Sequence, residues 1–153
     1  MDAASFEAGG RVRLRGARNE FLAFQVVVEG KDLAGVEVTV DKPLFASNQL
    51  PPVFRNAGAM QLYREWFVPD DRQAVEPRGW YPDPLIPLTG PFDIPARDNA
   101  VPGQTAQPVF ADVYIPHDSS PGIHSGRLLV KAGGVRRDVT VEVEVLPFMC
   151  AIP

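Results

Sequence analysis

Hydrophobic and polar positions alternate with a period of two along most of this chain, and that period dictates strands. The clearest case is 135–146, where Val139, Val141, Val143 and Val145 alternate with Thr140, Glu142 and Glu144, so one face is buried and the other is solvated. Just before it, Gly126-Arg-Leu-Leu-Val-Lys-Ala132 ends in Gly133-Gly134, a pair that can take the two positive φ angles of a two-residue hairpin. These two strands are expected to be antiparallel neighbours. Upstream, Pro108 to Ile115 predicts a strand closed by Pro116, which has no N–H for a ladder, and Pro121-Gly122 supplies the next turn. The last third of the chain thus reads as three strands in a meander or a Greek-key fragment.

The first third repeats the pattern. Arg11 to Arg15 predicts a short strand, Glu20 to Glu29 a longer one, and Val36, Val38 and Val40 a third, with Gly30 and Gly35 between them. In 20–29, Leu22, Phe24, Val26 and Val28 lie on one face and Phe21, Ala23 and Val27 on the other, which predicts a central strand or one covered on both sides. Ala59 to Val68 predicts a further strand, with Leu62 and Trp66 on one face and Tyr63 and Phe67 on the other. No segment sustains a helical period. About seven strands in two sheets bury these faces most economically, so the expected fold is all-β: a two-sheet antiparallel β-sandwich, immunoglobulin-like or jelly-roll-like. Between the two sets, Pro69 to Gln107 has no convincing period and predicts a long Pro-rich loop, which at that length is either functional or packed on something else.

Composition narrows the function classes. At 153 residues, 45% hydrophobic and 22% charged, the chain has the make-up of one globular domain, and no stretch approaches the roughly 20 apolar residues of a membrane helix. A net charge of −4 with scattered Arg argues against a nucleic-acid partner. Arg11, Arg13 and Arg15 alternate with Val12 and Leu14, which places them on the solvent face of a strand, with Arg18 nearby. Cys150 is alone, so no disulfide forms within the chain, and as a lone thiol near its end it is expected to be inert. The first residues lack the basic and apolar blocks of a signal peptide. Two placements fit: cytoplasmic, or extracytoplasmic with the leader missing from this chain.

The search for chemistry yields little. The two histidines, His117 and His124, are seven apart across a turn, which is not ligand spacing, and no metal or cofactor site is expected. Asp70-Asp71 reads as a solvated acidic turn in preference to a calcium loop. Gly122-Ile-His-Ser-Gly126 places its serine one residue late for a nucleophile elbow, and His124 and Ser125 point to opposite faces of a strand. No Gly-rich turn precedes a helix, so phosphate loops are absent. Two carboxylates have interesting neighbours: Asp83 in Trp80-Tyr-Pro-Asp-Pro84, and Asp112, which shares a strand face with Phe110 and Tyr114. That face either stacks on a sugar or is covered by another part of the protein with an Arg partner for Asp112; the second is the expectation. With no activated nucleophile, metal site or positioned acid and base pair, the chain by itself is not expected to be an enzyme.

Several segments resemble a known family. Arg15-Gly-Ala-Arg-Asn-Glu-Phe-Leu-Ala-Phe-Gln-Val-Val-Val28, Gly79-Trp-Tyr-Pro-Asp-Pro-Leu-Ile-Pro-Leu88, and Pro108-Val-Phe-Ala-Asp-Val-Tyr-Ile-Pro116 with Ser120-Pro-Gly-Ile-His-Ser-Gly126 look like the N-terminal β-sandwich of proteins related to glycoside hydrolase family 123. The resemblance implies a non-catalytic domain spanning 1–146, with 147–153 starting a linker to a C-terminal TIM-barrel domain that carries the active-site carboxylates and is the expected partner. His124 stands where the family pattern has Tyr, which argues against aromatic stacking there. Two functions follow: a structural domain docking on that barrel, or a carbohydrate-binding module with a glycan partner. The candidate residues for either are Trp80, Tyr81, Asp83, Phe110, Asp112 and Tyr114. The Trp80 segment is expected to lie against the domain and point toward a neighbour, because Pro82, Pro84 and Pro87 hold it extended.

Overall fold

A computed structural model describes residues 10–46, 50–55, 58–70 and 79–151. They form nine strands and one helical turn: β1 (Arg11–Arg18), β2 (Glu20–Glu29), β3 (Leu33–Lys42), α1 (Pro52–Arg55), β4 (Met60–Pro69), β5 (Trp80–Pro87), β6 (Phe92–Ile94), β7 (Ala106–Ile115), β8 (Gly122–Ala132) and β9 (Val135–Met149). Two sheets pack as a sandwich, one in the order β1-β9-β8-β3-β6 and the other in the order β2-β7-β4-β5. The facing residues make the core: Val36, Val109, Ala111, Val113, Ile115, Leu128, Val141 and Val143 are wholly buried.

The valine alternation of β9 does what its period requires. Val141, Val143 and Val145 face inward while Glu142 and Glu144 face out. The β8–β9 hairpin turns on Gly133 and Gly134 at φ 57° and 78°, the paired left-handed conformations of a two-residue turn, and its register runs unbroken from Ala132↔Val135 to Gly122↔Val145. β9 also extends to Met149, where it pairs with Arg18, so the start of the expected linker is strand. The β1–β9 pairing is parallel within otherwise antiparallel sheets.

Three sequence expectations need correction. β7 lies in the four-stranded sheet and β8 in the five-stranded one, so the last three strands are not a meander; Pro116 ends one ladder and the chain crosses between layers. β2 is an edge strand paired with β7, not a central or doubly covered one. Its odd-numbered apolar residues lie open, Phe21 being 56% exposed. Pro69 to Gln107 is not one loop, since it contains β5 and β6. Proline at 82, 84 and 87 reads as strand-breaking, but an edge strand bonds on one side only and tolerates the missing N–H groups.

The Arg15-to-Phe21 motif is the corner where the chain changes sheets. Asn19, at φ 63°, takes a left-handed turn that Asn tolerates better than most side chains. Its N–H donates to the Ile115 carbonyl at 2.8 Å, its Oδ1 accepts from the Tyr114 hydroxyl at 2.8 Å, and its Nδ2 donates to the Cys150 carbonyl at 3.2 Å. Glu20 closes the corner by accepting from the Ala17 N–H at 2.6 Å. Beyond β5, the segment leading to β7 packs on β4 through side-chain amides. Asn99 accepts from the Phe67 N–H at 2.7 Å and donates to the Phe67 carbonyl at 3.0 Å, supplying ladder bonds at the bulge between Glu65 and Phe67. Arg64, almost buried, is held by both oxygens of Asp98 at 2.7 and 2.5 Å, and this guanidinium keeps the Asp98 carboxyl below its ordinary pKa.

Candidate functional site

The two outer faces of the sandwich differ in chemistry, and the difference locates the site. On the five-stranded sheet, Arg13 and Arg15 of β1 lie in register with Glu142 and Glu144 of β9 and approach them to 3.4 and 3.2 Å. The pattern continues across the sheet with Arg127–Asp41 at 2.5 Å and Lys131–Glu37 at 3.6 Å. The expected solvated placement of these arginines holds. Each pair is worth about 0–1 kcal/mol, so the ladder keeps this face soluble and does little else.

The four-stranded sheet presents the opposite. Register brings Phe21 of β2 beside Tyr114 of β7, Ala23 beside Asp112, and Gln25 beside Phe110; on the other flank of β7, Gln61 and Tyr63 of β4 face Asp112 and Phe110. The Tyr63 and Phe110 rings lie 6.4 Å apart and tilted. At the other end, Phe21 and Phe54 of α1 pack on Tyr114 at 4.9 and 5.9 Å. Gln25 donates through Nε2 to the Glu65 carboxylate. The outward residues of β2, β7 and β4 include no Lys or Arg.

Three of the predicted site residues therefore do share this face, with unequal roles. Phe110 is half-buried and available. Tyr114 is buried under Phe21 and Phe54 and spends its hydroxyl on Asn19. Asp112 is half-buried, and no Arg partner for it appears among the described side chains. Burial raises its pKa, offset in part by a hydrogen bond from the Val113 N–H. A carboxyl whose folded pKa is raised costs stability once ionised; the cost is absent at acid pH and appears as pH climbs through the folded pKa. Asp112→Asn is accordingly expected to leave stability unchanged or raise it at neutral pH. The gain is a fraction of a kcal/mol, because solvent screens a half-exposed carboxylate, and should disappear below about pH 4. Thermal melts of both proteins at the two pH values check this.

The other three predicted residues, Trp80, Tyr81 and Asp83, lie on β5, at the edge of the same sheet with β4 between them and β7. Trp80 pairs with Pro69 and Tyr81 with Val68, whereas Val113, next to Asp112, pairs with Met60. At about 3.3 Å per residue, the eight steps along β4 from Gln61, the partner of Asp112, to Pro69 put Trp80 roughly 26 Å farther along the sheet, whereas Asp83, opposite Trp66, is only about 10 Å along from Tyr63, the partner of Phe110. Trp80 and Tyr81 stand apart from Asp112 and Tyr114, and Asp83 comes nearest to Phe110. All eight residues of β5 are exposed, with Trp80, Tyr81, Leu85 and Ile86 at 40–42%, so the segment is not core. Asp83 and Pro84 oppose Trp66 at the bulge. Beside β5, two surface clefts of about 510 Å³ each open on the flank of the sandwich, one lined by Met60, Leu62 and Leu88, the other by Arg64, Ile86 and Phe92.

The remaining candidates take structural places. His124 packs on the Phe45 ring at 4.8 Å and its Nε2 donates to the Ser120 carbonyl at 2.8 Å; Ser125 is exposed. Gly126 is required because a Cβ would sit 2.9 Å from the Lys42 carbonyl oxygen. Cys150 is exposed and donates its N–H to the Arg18 carbonyl at 2.8 Å. Among the described residues no cluster of three His, Cys, Asp or Glu could hold a metal ion; Asp71 lies outside them. No described helix is long and apolar enough to cross a membrane. Sequence reasoning missed Phe21, Ala23, Gln61 and Tyr63 as members of the four-stranded face. Strand parity placed each on a face, but which strands adjoin is a property of the whole sheet.

Among solved structures, the chain is similar to a family 123 glycoside hydrolase from Clostridium perfringens, studied for the details of glycolipid glycan hydrolysis, with a TM-score of 0.67 at 14% identity. The match covers 92% of this chain and 23% of that one. At this identity the likeness shows the fold, and this chain spans about a quarter of the length of the structure it matches. No family model matches the sequence, and no curated protein matches it.

Proposed function

We infer that this domain is a non-catalytic accessory unit of a larger glycoside-hydrolase-like protein and that it supports its neighbour by docking through the β5 flank. One observation carries the reading: β5 is an ordered strand, paired on one edge, that exposes four large apolar side chains. Sandwich edges ordinarily end in charges, and this one ends in Trp80, Tyr81, Leu85 and Ile86. Prolines at 82, 84 and 87 hold the strand extended before contact, so ordering costs little on docking, and they deter pairing with stray strands. The adjoining clefts give a partner's side chains somewhere to enter. The likeness in fold to about a quarter of a glycoside hydrolase chain supports a glycan context and a larger whole. The neighbour proposed is the C-terminal catalytic domain; since Cys150 leaves the fold beside Asn19, at the end away from Trp80, it must span roughly 30 Å of the flank.

Replacing Trp80 and Leu85 by Ser tests the reading. The isolated domain should keep its Tm within about 2 °C, as exposed positions allow, whereas the longer protein should lose several degrees. Equal behaviour of the two would contradict docking.

A further inference from the structure

Docking on the β5 flank leaves the outer face of the four-stranded sheet unused, and that face has relief. We propose that the row Ala23–Asp112–Gln61 is the floor of a binding site for one neutral pyranose unit of a glycan, walled by Tyr63 and Phe110 on one side and Phe21 on the other. The relief comes from register. Ala23, Asp112 and Gln61 lie side by side across three strands, with the Phe110 row on one side and the Tyr114 row, capped by Phe21, on the other. Rows on one face recur every two residues, so the walls stand about 13 Å apart over three strands spaced by about 4.8 Å, enough for a single sugar ring lying across the sheet.

The chemistry of the floor selects the ligand. Among the described side chains Asp112 has no ion-pair partner and accepts from the Val113 N–H, which leaves its outward lone pairs to accept sugar hydroxyls. Gln61 donates to the Leu62 carbonyl at 3.2 Å and keeps its own carbonyl oxygen as a second acceptor. The rings supply apolar aromatic surface for the C–H side of a pyranose, the usual mixture of aromatic walls and a few placed polar groups in a small-ligand site. With two carboxylates, Asp112 and Glu65, and no cation among the outward residues of β2, β7 and β4, an anionic sugar or a phosphate is disfavoured. The site also accounts for a carboxylate kept half-buried and unpaired on a face that otherwise reads as aromatic.

Saturation-transfer NMR on the whole chain tests this, with methyl β-glucopyranoside, methyl β-galactopyranoside and lactose as neutral probes and sialyllactose as the anionic control. Saturation should pass to at least one neutral probe and should be weaker for the sialylated one. Tyr63→Ala, Phe110→Ala and Asp112→Asn should each weaken binding about tenfold. Ala23→Phe fills the floor from an exposed position on an edge strand; it should melt like the parent and bind nothing. The proposal is overturned by no transfer to any neutral probe, by full binding in the Ala23→Phe variant, or by concentration-dependent self-association through this face that Tyr63→Ala abolishes. Ala23, Phe110 and Asp112 lie on β2 and β7, with β4 between them and β5, whereas Tyr63 borders β5 opposite Pro87; failure at the first three leaves the docking reading standing, and loss of docking leaves this one.

Discussion

A chain truncated after Gly134 is expected not to fold. The cut removes β9, which lies between β1 and β8 and is hydrogen-bonded to both. Val141, Val143 and Val145 go with it, each 0–2% exposed, and burial of each contributes about 1.5–3 kcal/mol. Their sum rivals the whole stability of a domain this size, about 5–15 kcal/mol, before the lost ladders are considered. Among the described strands β1 would keep no sheet partner, and Glu142 and Glu144 would no longer pair the arginines beside them. Far-UV circular dichroism with a thermal scan decides it: a cooperative transition in the truncated chain would contradict the assignment of β9 as an interior strand of its sheet, between β1 and β8.

The next largest loss is expected at Ile115, wholly buried at the end of β7, where the two sheets converge on the Asn19 corner. Ile115→Ala should cost about 2–5 kcal/mol, the range for deleting a buried branched side chain. Its partner is an absence: a Cβ on Gly16 would lie 2.9 Å from both Ile115 Cδ1 and Glu20 Oε2 and 3.1 Å from Leu22 Cδ1, so Ile115 is one of three side chains that crowd the place of a methyl there. Gly16→Ala should therefore destabilise the parent and do so less in an Ile115→Val background, which lacks that methyl. Urea titrations of the four proteins would return a coupling of about 0.5–3 kcal/mol for groups in contact; additive effects would mean that the corner relaxes around the added methyl.

The strands themselves were legible in the sequence wherever one face is buried and the other wet, as in β9, or where a Gly-Gly pair dictates the turn, as in β8–β9. Legibility failed where the signal of one strand depends on its neighbours. In β2, Phe21, Ala23 and Val27 make the second face as apolar as the first, which in sequence alone is indistinguishable from burial on both sides; their exposure follows from β2 lying at an edge. In β5, Pro82, Pro84 and Pro87 hide a strand that survives because only one of its edges is paired. The site suffered most. Asp112 between Phe110 and Tyr114 was visible as an i, i±2 pattern. Its lack of an Arg partner, the loss of Tyr114 beneath Phe54, and the roles of Ala23 and Gln61 emerge only from cross-strand register.

The central claim is that β5 is a docking edge of an accessory domain, and hydrogen–deuterium exchange tests it most directly. Exchange at residues 79–88 is compared between this chain alone and the same residues within the longer polypeptide proposed to carry them. In the isolated chain, amides facing away from β4 should exchange quickly, as unpaired edge groups do. In the longer protein the segment should be protected, with exchange on the β1–β9 face of the five-stranded sheet unchanged. Identical exchange of 79–88 in both would contradict the account.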